Sequence, residues 1–318
     1  MKKLPLGIEE LKTMDEISAP AVSVILPTHN RAALLKRSIK SILDQTCKDF
    51  ELIVIDDAST DDTEDVIRNF GDKRIRYIKQ QVNMGAAAAR NAGITASKGK
   101  YIAFQDDDDE WLPAKLSKQV EVFENNRNPD LGVVYSTYWK VDDEKRTETR
   151  PNKIMPEDGI VFEEALYDKL RGIGIQTVLT RRGIFDEVGM FDEAFPRWID
   201  HEFFIRASRK FLFYRIDEPL VNCYETPGGI SSSKKNQTIA RKMILDKYAD
   251  DFARLKNKKL LAEYYYDVGH ALCLEGKTDE GRRYVLKAIS TDPWHMNARI
   301  ALLVSHLGQK WYYRVHPL

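Results

Sequence analysis

At 318 residues and 43% hydrophobic content, the chain can bury a sizeable core as one large domain, alone or with a small appendage. Lys plus Arg equals Asp plus Glu at 49 each, so no overall positive field points to nucleic acid, and any ligand must be selected by local charge. Cys47, Cys223 and Cys273 lie far apart, which gives neither a disulfide framework nor a CxxC metal site and fits a reducing cytoplasm.

Residues 1–20 mix Lys2, Lys3, Glu9, Glu10, Lys12, Asp15 and Glu16 with isolated apolar positions. They read as an N-terminal lead without the apolar core of a signal peptide, so export is not expected. Nowhere does the chain approach the roughly 20 apolar residues that cross a bilayer, and membrane contact is expected to be peripheral.

From Val22 the pattern is a short apolar run, a turn, then an amphipathic stretch, repeated as an alternating α/β fold requires. Val22 to Leu26 is the first strand, ended by Pro27. A helix follows over Arg31 to Gln45, with Leu34, Leu35, Ile39, Ile42 and Leu43 on one stripe. Leu52 to Ile55 is the second strand. Ser59, Thr60 and Asp61 offer cap oxygens to a helix running to Phe70, with Glu64 three after Asp61 as in a capping box. Ile75 to Ile78 is a strand, and Ala86 to Ala96 is a helix of small residues that permits close backbone approach. Tyr101 to Phe104 is the fourth strand and runs into Gln105 and four aspartates, Asp106 to Asp109. Pro113 suits the first turn of the next helix.

Further on, Val133 to Val141 and Phe211 to Ile216 read as strands among short helices. Beyond Lys234 the strand signals stop, and helices are expected over Lys234 to Leu255, Leu260 to Glu275, Thr278 to Ser290 and His295 to Leu307. Tyr264 to Pro293, with Gly269, Ala271, Gly276, Gly281 and Ala288, resembles a single tetratricopeptide helix pair. One such unit cannot bury its own face and is expected to pack on the main domain.

Open α/β sheets bind ligands beyond the carboxyl ends of their strands, where Pro27 to Asn30, Asp56-Asp57 and the Asp106 cluster fall. Two unit charges at 4 Å repel by about 1 kcal/mol even in water, so four consecutive aspartates need neutralising. An isolated acidic run is usually a solvated loop. Here it lies between apolar Tyr101 to Phe104 and Trp111-Leu112, and a divalent cation is the better account. Mg²⁺ and Mn²⁺ prefer carboxylate oxygens and take one or two of them, with phosphate and water completing the shell.

Val22 to Arg31 (VSVILPTHNR), Val54 to Thr63 (VIDDASTDDT), Asn83 to Gly93 (NMGAAAARNAG) and Tyr101 to Asp109 (YIAFQDDDD) resemble, in this order, the successive motifs of family 2 glycosyltransferases with the GT-A fold. The likeness covers about residues 20 to 230. It implies an α/β fold of GT-A type, a Rossmann-like central mixed sheet flanked by helices, with a C-terminal helical extension. The corresponding domains are a lead over 1–20, a GT-A domain over 21–233, split into a nucleotide-binding half (21–130) and an acceptor half (131–233), and the extension over 234–318.

Carried over by position, the resemblance implies that Pro27, Thr28, His29 and Arg31 line the nucleotide pocket and that Asp57 accepts hydrogen bonds from a uracil or thymine base. His29 stands where the family often has Tyr. Asn83 and Arg90 fall beside the phosphates. The family's Asp-x-Asp falls on Asp106 and Asp108, so Asp108 is the implied metal ligand and Asp106 or Asp107 the ribose contact. Arg197 to Arg206 (RWIDHEFFIR) resembles the acidic motif heading the helix that faces the sugar, with Asp200 as general base. Phe203, Phe204 and Ala207 share its helical face, which turns Glu202 away. Gly174 to Gly183 and Val188 to Glu193 match the run into this helix. After the base the family often has a metal-binding His, whereas Tyr224 to Ser233 offers Glu225 and no His.

Asp56, Asp57 and Ser59 have an ordinary alternative as helix caps, Asp200 as an N-cap, and Arg90 as an exposed helix residue. Gly276-Lys277-Thr278 fails as a phosphate loop because position 271 is Ala and no strand precedes it. His201-Glu202 lacks a zinc-protease partner. The expected activity is a Mn²⁺- or Mg²⁺-dependent, inverting transfer from a UDP or TDP sugar to a hydroxyl of a saccharide or lipid-linked saccharide, in the cytoplasm or at the inner face of the membrane. Its rivals are a sugar-nucleotide nucleotidyltransferase, which usually opens with a Gly-rich loop absent from Pro27 to Asn30, and a non-catalytic binding module. Trp311 to His316 is aromatic and basic enough to touch a membrane, terminal packing being the favoured role.

Overall fold

Short β-branched runs that alternate with one-sided helices can bury their apolar atoms only by forming a sheet sandwiched between helices, and the chain does so. The computed structural model describes residues 19–142, 145–149, 158–159, 162–166, 173–225, 233–254, 258–307, 312 and 314. The lead up to Ser18, the Gly/Ser stretch after Glu225 and most of the terminal aromatic segment lie outside the described residues.

The first half reads β1 (Val22–Thr28), α1 (Ala32–Leu43), β2 (Phe50–Asp56), α2 (Thr63–Arg68), β3 (Ile75–Lys79), α3 (Ala86–Ala96) and β4 (Tyr101–Phe104). There follow β5 (Glu110–Trp111), α4 (Lys115–Asn125), β6 (Leu131–Asp142), β7 (Lys145–Thr149), β8 (Asp158–Gly159), α5 (Phe162–Leu166), β9 (Val178–Arg181), α6 (Ile184–Val188), α7 (Ile199–Ala207) and β10 (Leu212–Tyr224). The tail contains α8 (Lys234–Lys247), α9 (Ala249–Arg254), α10 (Lys258–Leu274), α11 (Thr278–Thr291) and α12 (Met296–Ser305).

Along the sheet the order is β3-β2-β1-β4-β9-β6-β10-β5, with β7 on β6 and β8 on β10. β3, β2, β1 and β4 are parallel, β9 is antiparallel to both β4 and β6, and β6 and β10 are parallel. This is a mixed sheet flanked by helices, the expected fold class. β9 itself was not apparent in the sequence: its four residues are too few to show a strand period, yet Val178 and Leu179 are fully buried.

On one face, Val24, Leu26, Leu52 and Val54 pack with Leu35, Ile39 and Ile42 of α1 and Leu116 and Phe123 of α4. The opposite face joins Ile25, Ile102, Phe104 and Tyr135 to Phe185, Phe203 and Phe204, and the same cluster continues into Ile244, Phe252, Leu261 and Leu272 of the tail. The tail therefore shares the core of the sheet. Within it α10 meets α11 so closely that a Cβ on Gly269 would lie 2.8 Å from the Gly281 carbonyl oxygen.

A local expectation is corrected and another is extended. α2 begins at Thr63 behind Asp62 and lacks the capping box; Glu64 binds Arg68 instead, because Asp61 is taken by the Thr63 amide and hydroxyl. Glu202, expected only to be turned away from the face of Asp200, is fully buried, because the tail covers that side of α7.

Candidate active site

Parallel pairing of β2, β1 and β4 brings their carboxyl ends side by side, so that Thr28, Asp56-Asp57 and Gln105 to Asp109 meet at one edge. Thr28 Oγ1 donates to Asp107 Oδ2 at 2.8 Å. Arg31 Nη1 spans Asp107 Oδ1 at 3.2 Å and Asp108 Oδ2 at 2.7 Å. Arg90, nearly buried on α3, reaches Asp106 Oδ1 at 2.7 Å. An exposed helix residue would not do this, and the plain surface reading of Arg90 fails.

The second strand's aspartates divide their work. Asp56, fully buried, accepts from the Ser59 amide at 2.7 Å and the Tyr77 hydroxyl at 2.5 Å, which is the structural turn its position allows. Asp57 accepts from the amides of Met84 at 2.8 Å and Gly85 at 2.7 Å, pinning the loop that enters α3. Gly85 needs its φ of 88° there, a conformation free of strain only for glycine. Asn83, beside this loop, is exposed, and Pro27 is half-buried at the end of β1. His29 Nε2 accepts from Asn30 Nδ2 at 3.0 Å, so the proton sits on Nδ1, which donates to the Asp57 carbonyl at 2.7 Å.

Charge is not balanced in the acidic loop. Arg31 and Arg90 face four carboxylates, and burial, reinforced by Asp108 and Asp106, pushes Asp107 up to about 6 despite Thr28 and Arg31. Burial likewise raises Asp106, with Asp108 and Asp200 adding to the effect against Arg90, and it holds Asp109 well above the usual carboxylate range. Asp109 is buried and accepts from the Tyr224 amide at 3.0 Å. The accessible carboxylates are Asp106 and Asp108, with 29% and 18% of their side chains exposed against 10% for Asp107. Among the described residues no three His, Cys, Asp or Glu side chains converge into a ready-made metal cage. Asp106 and Asp108 each hold one arginine, but the loop as a whole has more carboxylates than these cations offset, and oxygen-only donors of this kind fit an ion whose remaining ligands are phosphate and water.

Asp200 is the second residue of α7, behind Trp198 at the cap position, and its Oδ1 accepts from the His201 amide at 2.8 Å. It is therefore not an N-cap. The structure brings it within electrostatic reach of Asp106. Glu225, by contrast, is 64% exposed and pairs with Lys140.

All three non-glycine residues with positive φ among the described residues adjoin this edge: Asn30 (53°), Ala58 (61°) and Trp198 (63°). Each such conformation costs about 1 to 2 kcal/mol, held in place by surrounding bonds such as Asn30 N–H to Ser59 at 2.9 Å. Sequence reasoning missed Arg37 and Ser38. Arg37 donates to the Asp108 carbonyl and lies 3.6 Å over the Tyr224 ring, while Ser38 Oγ donates to the Asp106 carbonyl at 2.9 Å. The available signal was a serine on the apolar side of α1, next to Leu35 and Ile39.

An α/β sheet with nucleotide-type strand ends and an acidic loop defines the class, a GT-A transferase. The glycosyl transferase family 2 model matches residues 23–189, and the chain belongs to this family. It is a glycosyltransferase. Over 262 residues it is 27% identical to an uncharacterized glycosyltransferase of Haemophilus influenzae, covering 80% of this chain and 86% of that protein. It is 41% identical over 118 residues, 37% of this chain and 46% of the relative, to the UDP-Glc:alpha-D-GlcNAc-diphosphoundecaprenol beta-1,3-glucosyltransferase WfaP of Escherichia coli. The crystal structure of S. aureus TarS 1-349 in complex with UDP-GlcNAc superposes with a TM-score of 0.66 at 18% identity, covering 92% of this chain and 89% of that one, a likeness of fold.

Proposed function

We propose that the edge above β1, β2 and β4 carries out a metal-dependent, inverting transfer of a sugar from a UDP or TDP sugar to a hydroxyl of a saccharide or lipid-linked saccharide. The observation that carries this reading is the meeting of Thr28, Asp57 and the Asp106 to Asp109 loop at the open edge of parallel β2, β1 and β4, with Asp200 at the head of α7 near enough for its charge to act on Asp106. Pro27, Thr28, His29, Arg31, Asp57 and Asn83 form the nucleotide side. Asp57 spends one lone pair of each oxygen on the Met84 and Gly85 amides, which leaves acceptor capacity for a pyrimidine N–H. Arg90 lies by the diphosphate, and Asp106 or Asp107 contacts the ribose.

Asp108 is the residue that would hold Mn²⁺ or Mg²⁺, which would supply positive charge to offset that of a departing diphosphate. Asp200 accepts the proton of the acceptor hydroxyl. The hydroxyl oxygen bonds to the anomeric carbon from the side opposite the diphosphate as that bond breaks, so the configuration inverts. Holding both reactants at one edge supplies much of the rate. Residues 131–233 form the acceptor half and 21–130 the nucleotide half, with 234–318 as an extension whose α10–α11 pair acts as a tetratricopeptide-like unit packed on the core. The lipid diphosphate in the E. coli relative's name supports surface polysaccharide or glycolipid synthesis on the cytoplasmic face of the membrane.

Calorimetric titration of UDP-, TDP- and GDP-sugars, with and without Mn²⁺, on the intact chain and on Asp108→Ala tests this. Metal-dependent binding of a UDP or TDP sugar, lost in the variant, is expected. Binding that ignores Mn²⁺, or that survives in Asp108→Ala, overturns the metal assignment; no binding of any sugar nucleotide overturns the reaction.

A further inference from the structure

α12 buries only one side. Ala298, Ala301 and Val304 pack inward, while Met296, Ile300 and Leu303 on the helix, Leu307 just beyond it and Trp294 just before it point outward. Their exposures are 60%, 39%, 70%, 62% and 81%. Spacings of four, three and four residues place Met296, Ile300, Leu303 and Leu307 within an arc of about 60° at 3.6 residues per turn. Five of the nine large exposed apolar side chains among the described residues lie in this one stretch. Contiguous apolar surface of this kind marks an interaction site rather than ordinary exposure.

The charge around it selects the partner. Although acids and bases balance over the whole chain, the sequence from Pro293 to Leu318 contains no Asp or Glu, and it carries Arg299, Lys310 and Arg314. Arg299 lies along the edge of the stripe, exposed. Pairing of this face with a second copy would set like charges together, whereas an anionic surface complements both the apolar stripe and its basic border. Among the described residues no helix is long and apolar enough to cross a membrane. We propose that α12 with its flanking turns is a peripheral docking face for an anionic phospholipid bilayer, with Trp294 and the leucines entering the headgroup boundary and Arg299 beside them meeting lipid phosphates. This holds whichever sugar the enzyme transfers.

The test is co-sedimentation of the full chain with vesicles of phosphatidylglycerol and phosphatidylcholine, or of phosphatidylcholine alone, at low and high salt. Partition onto the anionic vesicles is expected to be on the order of 10- to 100-fold stronger and to weaken with salt. The double substitution Leu303→Glu with Leu307→Glu is expected to weaken it at least about tenfold, and Leu303→Ser to weaken it less. Because these side chains are exposed, the variants keep the melting temperature of the parent. Equal sedimentation of parent and double variant overturns the proposal, as does failure of the parent to bind anionic vesicles. A dimer in light scattering that the double variant dissociates, without vesicle binding by the parent, assigns the face to a second copy instead.

Discussion

Tyr248 donates its hydroxyl hydrogen to Glu202 Oε1 at 2.7 Å, which ties the turn after α8 to the helix that begins with Asp200. Glu202 also holds Arg206 through Nε at 2.9 Å and Nη2 at 2.8 Å, and Lys247 at 2.9 Å. A fully buried carboxylate with this many donors fixes the rotation of α7, and through it the direction in which Asp200 points. Replacing Glu202 with Ala leaves Lys247 with Asp192 and Arg206 with the carbonyls of Val188, Gly189 and Met190, so the loss of its charge-assisted bonds is expected to cost about 1.5 to 3 kcal/mol in urea unfolding. Tyr248→Phe, which removes one bond, costs about 1 to 2 kcal/mol and lowers kcat more than it raises KM. An unchanged kcat in a folded Tyr248→Phe variant would separate the tail from the site.

Burial alone would raise the pKa of Glu202, but bonds and charge from Arg206, then Tyr248 and Lys247, outweigh it and hold the carboxyl below its ordinary 4.5. For an acid with a depressed folded value, the stabilisation is fully present above about 4.5 and is lost as pH falls through that lower value. The melting temperature of the parent should therefore drop more steeply below pH 4.5 than that of Glu202→Gln. Parallel curves would show that other groups govern acid unfolding.

Lys115 is buried with its ammonium 2.9 Å from Gln119 Oε1 and 3.9 Å from the centre of the Trp111 ring, and burial pushes it well below its usual value. The unfolded chain then binds a proton that the folded chain gives up, so stability rises with pH from the folded value towards 10.5. Lys115→Met keeps the shape and removes the desolvation cost. It is expected to be more stable by about 1 kcal/mol at pH 7 and to lose part of the rise between pH 7 and 9, read by denaturant titration. Destabilisation would mean that the ammonium's bonds exceed its desolvation cost.

Gly93 on α3 faces Ile25 of β1, and a Cβ there would overlap the Ile25 side chain. Helix propensity favours Gly93→Ala by about 1 kcal/mol, but overpacking costs about 1 to 3. The clash should win, since Ile25 is itself fully buried and has nowhere to move. A lower melting temperature is expected, with a compensating rise in the double variant Gly93→Ala with Ile25→Val.

Arg37→Ala removes the donor to the Asp108 carbonyl and the cover over Tyr224. Loss of a charge-assisted hydrogen bond costs about 1.5 to 3 kcal/mol where it is buried, and this side chain is partly exposed, so about 1 kcal/mol of stability is expected. Sugar-nucleotide affinity should fall several-fold as the acidic loop loosens, with Lys at this position failing to restore it because an ammonium cannot stack as a guanidinium does. Full rescue by Arg37→Lys would show that charge alone matters.

The parallel unit was legible because its signal is local. β1 to β4 and the helices between them announce themselves through apolar runs and the stripe from Leu35 to Ile42, and the structure places each within a few residues of expectation, although β1 continues through Pro27, expected to end it, to Thr28. Polar residues at strand ends, Thr28, Asp57 and the aspartates from Asp106, were equally visible, since a sheet that alternates with helices leaves one edge open for them. Pairing order fixed their meeting, and the sequence pattern required that order only for the parallel part.

What the sequence did not contain was the geometry created by distant partners. β9 joins β4 to β6 only because both neighbours supply its hydrogen bonds, and four residues carry no period of their own. The helical spacing from Asp200 put Phe203, Phe204 and Ala207 on one face, and all three are buried, but it gave no sign that the tail buries Glu202 as well. Arg90 and Arg37 acquire their partners across 16 and 71 residues of chain. Local sequence thus determined which residues are helical, which are strands and which polar groups stand at the open edge, because propensity and period act over a few residues. Tertiary structure alone decided which charges neutralise the acidic loop, which face of α7 is covered and which face of α12 is left bare, because burial and pairing depend on elements far apart in the chain.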